Sequence, residues 1–118
     1  MSRPVIIAPT AQRDVESILV WTHEHFGELA RLRYEAILCQ AIVDVAENPD
    51  RTGCHLRTEI AAGVRTYHLW HSRNRVISKP RVNQPRHFLL FRTRDDGHIE
   101  IGRVLHDSMD LNRYLPEP

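Results

Sequence analysis

The stretch His87-Phe-Leu-Leu-Phe-Arg-Thr-Arg-Asp-Asp-Gly-His-Ile-Glu-Ile-Gly-Arg-Val-Leu-His106 decides the fold. Its two arms, 87–93 and 98–106, are rich in β-branched and aromatic residues, and Asp96-Gly97 between them is a strong turn signal. Two strands joined by a tight hairpin follow. Upstream, Val64–His71 has the same composition and reads as a strand preceding them. At the N-terminus, Val5-Ile-Ile-Ala8 is an apolar run too short for a buried helix and closed by Pro9, so it too reads as a strand.

Helical spacing fills the interval between the first strand and the rest. Thr10 is a suitable N-cap, and Ala11, Val15, Ile18, Leu19, Thr22 and Phe26 mark one face of a helix that Gly27 stops. Ala30, Tyr34, Ile37, Leu38, Ala41, Ile42 and Val45 mark a second helix ending at Asn48-Pro49. A connection this short predicts an antiparallel helical hairpin. The predicted order is β-α-α-β-β-β: an α+β fold whose hairpin packs on one face of a small antiparallel sheet. With 118 residues the chain has room for one core, so residues 1–118 are read as a single domain. Residues 73–85, with two prolines and no clear period, are predicted to form a long basic hairpin loop.

Composition excludes several classes. The chain is 42% hydrophobic and 26% charged, as expected of a globular protein, and no apolar window is long enough for a membrane helix or a signal peptide. A cytoplasmic location is expected. Cys39 falls in a predicted helix and Cys54 in a predicted loop; without CxxC spacing they read as free thiols.

The net charge of +1 hides a segregation along the chain. Residues 1–50 carry four arginines against eight carboxylates, residues 60–94 carry seven arginines and Lys79 with no carboxylate, and residues 95–118 carry six carboxylates against two arginines. Fifteen of the 16 basic residues are arginine, the side chain suited to bidentate contacts with carboxylate or phosphate. An electropositive region that orients an anionic partner is the expectation.

Eight histidines raise the question of metal. His23 and His25 are two apart on a helix and diverge, and His68 and His71, three apart on a predicted strand, point to opposite faces. No HExxH, CxxC or carboxylate triplet accompanies them, so neither a metal nor another cofactor is predicted. The scattered glycines form no phosphate loop, and no GxSxG or cysteine-nucleophile context is present. One enzymatic chemistry is compatible with the residues present, a metal-independent ribonuclease built from Arg65, Arg92 and Arg103 with His106 and Tyr67 or Tyr114.

With these elements in place, three stretches resemble the RelE/ParE toxin superfamily, and the ParE branch most closely. They are Asp14-Val-Glu-Ser-Ile18 with Trp21, then Ala62-Gly-Val-Arg-Thr-Tyr67, and above all 87–106 followed by Asp107-Ser-Met-Asp-Leu-Asn-Arg-Tyr-Leu-Pro116. The segment 73–85 is longer than the hairpin usual in that family, and residue 108 is serine. The resemblance implies the toxin of a type II toxin–antitoxin system, a non-enzymatic protein that inhibits DNA gyrase by direct binding. It also implies a ParD-like ribbon-helix-helix antitoxin forming a hetero-oligomer with it. No direct nucleic-acid or membrane binding is expected of the toxin alone. An acidic antitoxin segment is expected to meet Arg65, Arg92, Arg94 and Arg103, and the target to meet His106, Asp107, Met109, Asp110 and Arg113. The RelE-like alternative is a ribosome-dependent mRNA endonuclease, whose active site is lysine- and arginine-rich, whereas Lys79 is this chain's one lysine. A third reading is a non-toxic, antitoxin-binding member of the family.

Overall fold

A computed structural model of the chain describes residues 2–77 and 81–108. It contains strand β1 (Val5–Ile7), helices α1 (Pro9–Phe26) and α2 (Glu28–Glu47), strands β2 (Cys54–Leu56) and β3 (Val64–His68), a 3-10 turn over Leu69–Ser72, and strands β4 (His87–Thr93) and β5 (Ile99–His106). Proline stands at the start of α1, where its missing N–H costs nothing and its fixed φ suits the helix. Thr10, expected as the N-cap, therefore lies inside the helix, and its hydroxyl donates to the Gly102 carbonyl at 2.7 Å. Between the helices, Gly27 takes φ 90°, a backbone state that a side chain disfavours, and this lets the chain reverse in one residue.

The five strands form one sheet in the order β1-β5-β4-β3-β2. Neighbours from β2 to β5 are antiparallel, but β1 runs parallel to β5, pairing Val5 with Ile99 and Ile7 with Ile101, so the sheet is mixed rather than wholly antiparallel. Two local expectations are corrected. Cys54 lies in the short strand β2 rather than a loop, and the strand expected to reach His71 stops at His68 and turns into the 3-10 segment. The hairpin expected at Asp96-Gly97 forms with connecting residues 94–98, where Asp96 accepts the His98 N–H at 3.0 Å.

One face of the sheet carries Tyr67, Leu89, Phe91, Ile99, Ile101 and Val104 into a core shared with Ala11 of α1 and Ile37, Leu38, Ala41 and Val45 of α2. Val76 and Val82 of the basic segment also reach this core. At its root, Arg75 Nε donates to the buried Asp44 of α2 at 2.8 Å. Leu90 pairs with Arg103 and Phe91 with Ile101, so Gly102 is an extra residue, a β-bulge. The bulge turns the Gly102 carbonyl and the Arg103 guanidinium toward α1, where Thr10 and Asp14 receive them.

Candidate functional site

The charge segregation of the sequence is largely cancelled in space. Carboxylates supplied mostly by the acidic flanks pair with Arg65 (Asp50, 2.6 Å), Arg75 (Asp44, 2.8 Å), Arg86 (Asp107, 2.9 Å), Arg92 (Glu100, 2.8 Å) and Arg94 (Asp96, 3.4 Å). Arg73 lies over the Trp70 ring at 3.4 Å and donates to the Trp70 carbonyl, while Arg81 donates to the Val76 carbonyl.

The most elaborate polar cluster sits where β4 begins and β5 ends. His87 and His106 are cross-strand partners with rings 5.2 Å apart and nearly perpendicular. Tyr34 of α2 reaches His87 Nδ1 with its hydroxyl, and the Arg86 N–H donates to the same hydroxyl at 3.1 Å. Burial pushes the Tyr34 phenol up to about 12 and the His87 imidazole down to about 4, the latter with help from neighbouring His106. At neutral pH a protonated tyrosine thus donates to a neutral histidine.

Asp107 closes the cluster. Arg86 presents Nε and Nη2 to its carboxylate at 2.9–3.1 Å, and His68 Nε2 approaches at 3.1 Å. The Trp70 N–H donates to His68 Nδ1 at 3.0 Å, which leaves the ring proton on Nε2 for Asp107. The Arg86 hydrogen bonds hold Asp107 down to about 2. His106 Nδ1 is engaged by Ser108, which offers both its backbone N–H (3.1 Å) and its hydroxyl (2.7 Å).

Beside this cluster, Gly53, His55, Arg57, Thr66, His68, His71, Phe88 and Asp107 line a groove of about 320 Å³. His68 and His71, predicted to point apart, both line it, because the chain leaves the sheet after His68. Burial and the adjacent His68 and His55 hold His71 below the ordinary histidine range. Gly53 has φ 102°, and a Cβ there would lie 2.6 Å from the His71 ring, so glycine is required for this approach. Among the described residues, no three histidine, cysteine, aspartate or glutamate side chains are placed to hold a metal ion. Cys39 and Cys54 are free thiols, and burial raises Cys54 to about 11.

The residues singled out from sequence are not all brought together. Arg65 donates to the Pro49 carbonyl and Asp50 on the helix-covered side, and Arg103 grips Asp14 of α1. Arg92 and Arg94 share a separate open cleft with Ala62, Gly63, Thr93, Asp95 and Asp96. His106 and Asp107 lie together at the strand end; Met109, Asp110, Arg113 and Tyr114 lie outside the described residues. Tyr67 is fully buried and bonded to Ser72. Sequence reasoning missed Tyr34, His68, Arg86 and His87. It also missed Asp44, although a carboxylate between Ala41 and Val45 on the apolar stripe of α2 was a readable signal.

Comparison with known proteins agrees with this architecture. Toxin ParE1 from two strains of Mycobacterium tuberculosis, CDC 1551 / Oshkosh and H37Rv, is 30% identical over 115 residues, covering 98% of this chain and all of that protein. A crystal structure of the toxin–antitoxin complex RelBE2 of Mycobacterium tuberculosis contains a chain that aligns with TM-score 0.52 and 23% identity, over 90% of this chain and 99% of that one, which supports the fold. Among the described residues no helix is long and apolar enough to cross a membrane. The family described as ParE toxin of type II toxin–antitoxin system, parDE, matches residues 5–111, and the chain belongs to that family.

Proposed function

We propose that this ParE-family toxin inhibits DNA gyrase by stoichiometric binding in the cytoplasm and is neutralised by a ParD-like ribbon-helix-helix antitoxin in a hetero-oligomer. The observation that carries binding over catalysis is the dispersal of Arg65, Arg92 and Arg103 into ion pairs with Asp50, Glu100 and Asp14, which among the described residues are separate from one another and from His106. A ribonuclease needs cations and a proton-transfer group around one phosphate. Here His106 has its Nδ1 occupied by Ser108, and Asp107 is locked as a carboxylate by Arg86.

The target surface is the end of β5, His106 and Asp107 with the residues that follow, Met109, Asp110 and Arg113. The Arg86–Asp107–His68 linkage holds Asp107 in a fixed position at the end of β5, which lowers the ordering cost of binding there. For the antitoxin, Arg92 and Arg94 are the docking cations. Their clefted position on the β4–β5 hairpin suits an acidic segment, whereas Arg65 and Arg103 serve the fold first. Assays of gyrase supercoiling and cleavage-complex formation with purified toxin test the target. The groove lined by His55, His68, His71 and Arg57 favours the second reading, an mRNA endonuclease. Cleavage of mRNA in a translating extract, lost on His68→Ala or His106→Ala, would establish it instead.

A further inference from the structure

Helix α2 has two apolar faces, and the fold uses only one. Tyr34, Ile37, Leu38, Ala41 and Val45 face the sheet. On the opposite side Leu29, Leu32, Ala36, Cys39 and Val43 follow one another at spacings of three, four, three and four residues, the a/d repeat of a coiled-coil seam. Most of this stripe lies open: Leu29 is 67% exposed, Leu32 and Val43 are each 45% exposed and Cys39 is exposed, while Ala36 is half-buried and also packs against the edge of the core. A surface helix with one buried face normally turns charged residues outward. Here the outward positions from Leu29 to Val43 are apolar.

The charges beside the stripe indicate what covers it. Glu28, Glu35 and Ile42 flank it on one side, Arg33, Gln40 and Glu47 on the other. In a parallel, in-register pair, a residue at the first flank meets the partner residue five positions further on. Glu28 then faces Arg33 of the other copy, and Glu35 faces Gln40, each contact occurring twice about the twofold axis. In an antiparallel pair each flank would instead meet the same flank of the other copy, setting Glu28 and Glu35 against each other or Ile42 and never against Arg33. Among the described residues Glu28 has a long contact with Arg31, at 3.9 Å, and its side chain is 69% exposed, so it is available. Ala36 at the middle of the seam permits close approach of the two helices. The sheet already holds α2 in shape, so pairing does not bear the nucleation cost of an isolated short coiled coil.

We infer that two copies of this chain pair in parallel through the outer face of α2, with Leu29, Leu32, Ala36, Cys39 and Val43 in the seam. Such a contact is at the small end of specific interfaces, below about 1,200 Å² in total, and is expected to form at roughly micromolar to hundred-micromolar concentration.

Sedimentation velocity of the full-length purified toxin between about 1 and 200 μM, in reducing buffer, reads the pairing directly. A concentration-dependent dimer is expected, and Leu32→Glu with Val43→Glu should abolish it without lowering the melting temperature, since both side chains are exposed. Glu28→Arg should weaken association several-fold, and adding Arg33→Glu in the same chain should restore it. In a Cys54→Ala background, diamide should link two copies through Cys39: the two thiols release two protons and two electrons, the diamide is reduced to its hydrazine, and one S–S bond forms. Cys39→Ser removes the link. A monomer at every concentration, or a dimer that survives the double glutamate variant, overturns the seam. A dimer in which the charge swap fails to restore association overturns the parallel register. A monomeric toxin whose double glutamate variant loses antitoxin binding assigns the face to the antitoxin instead and also overturns the inference.

Discussion

The Asp14 carboxylate on α1 receives Nε and Nη2 of Arg103 at 2.7 and 2.9 Å, together with the backbone N–H of Val104 at 2.9 Å, although 89 residues separate the two side chains. Both are largely buried, and the contact fixes the helical hairpin to the bulged strand. Removing the carboxylate with Asp14→Ala strands a guanidinium and an amide, at a cost of about 2–4 kcal/mol. The melting temperature should fall by about 4 °C for each kcal/mol. Arg103→Lys keeps the charge but loses the two-pronged contact and should cost about 1 kcal/mol. Thermal unfolding followed by circular dichroism reads both, and an Asp14→Ala protein that melts like the wild type would contradict the assignment. A loss of toxicity in an Arg103 variant therefore informs on the target only when the variant melts normally.

Asp44 is the second polar anchor. It is fully buried and accepts from Ser72 Oγ at 2.6 Å, Arg75 Nε at 2.8 Å and Gln40 Nε2 at 2.9 Å, with Arg51 at 3.4 Å. Tyr67 extends the network through Ser72 at 2.8 Å. Asp44→Ala leaves these donors unmatched and should destabilise by about 3–5 kcal/mol. The urea midpoint should drop by about 2 M. A midpoint shift under a quarter of that would show that water replaces the carboxylate freely.

Acid should weaken the fold in two steps. Folding lowers His87 from 6.5 to about 4, so between these values the unfolded chain takes up a proton that the folded chain refuses, and stability falls as pH falls through that window. Folding lowers Asp107 from 3.8 to about 2, and its contribution, present above 3.8, is lost as pH drops toward 2. His71, also lowered, adds to the first step. His87→Asn, which keeps a hydrogen-bond acceptor for Tyr34, should flatten the dependence of unfolding free energy on pH between 6.5 and 4. Equal slopes for wild type and variant would remove His87 from this role.

The antitoxin surface proposed at Arg92 and Arg94 predicts a kinetic signature. Reversing Arg92 and Arg94 to glutamate should slow antitoxin association by about tenfold at low ionic strength. The gap should close as salt is raised, because both side chains are exposed and screening is effective there. Stopped-flow association at two salt concentrations measures this, and an unchanged low-salt rate would place the antitoxin elsewhere.

How far the sequence was legible follows from which interactions are local. The β4–β5 hairpin around Asp96-Gly97 and the helix break at Gly27 depend on neighbours in the chain, and their composition announces them. Strand β2 has three residues, Cys54, His55 and Leu56, too few to show an alternation, and exists because β3 offers its edge. The parallel pairing of β1 with β5 joins Val5 to Ile99, which no local pattern encodes. The basic run 60–94 suggested an open cationic surface, but its arginines find carboxylates as distant as Asp44, Asp50 and Asp107. His106 and Asp107 were visible as a motif at a strand end. The Tyr34–His87 and His68–Asp107 contacts that orient them join α2, β3 and β4, and only the folded chain brings these together.

The most direct measurement is DNA supercoiling by purified gyrase titrated with the full-length toxin, with and without its antitoxin. Supercoiling should be lost near stoichiometric toxin, with cleaved DNA accumulating, and should return when antitoxin is added. A His106→Ala, Asp107→Ala variant whose folding is verified by circular dichroism should leave gyrase active. Full supercoiling in the presence of a tenfold molar excess of folded wild-type toxin would contradict gyrase as the target.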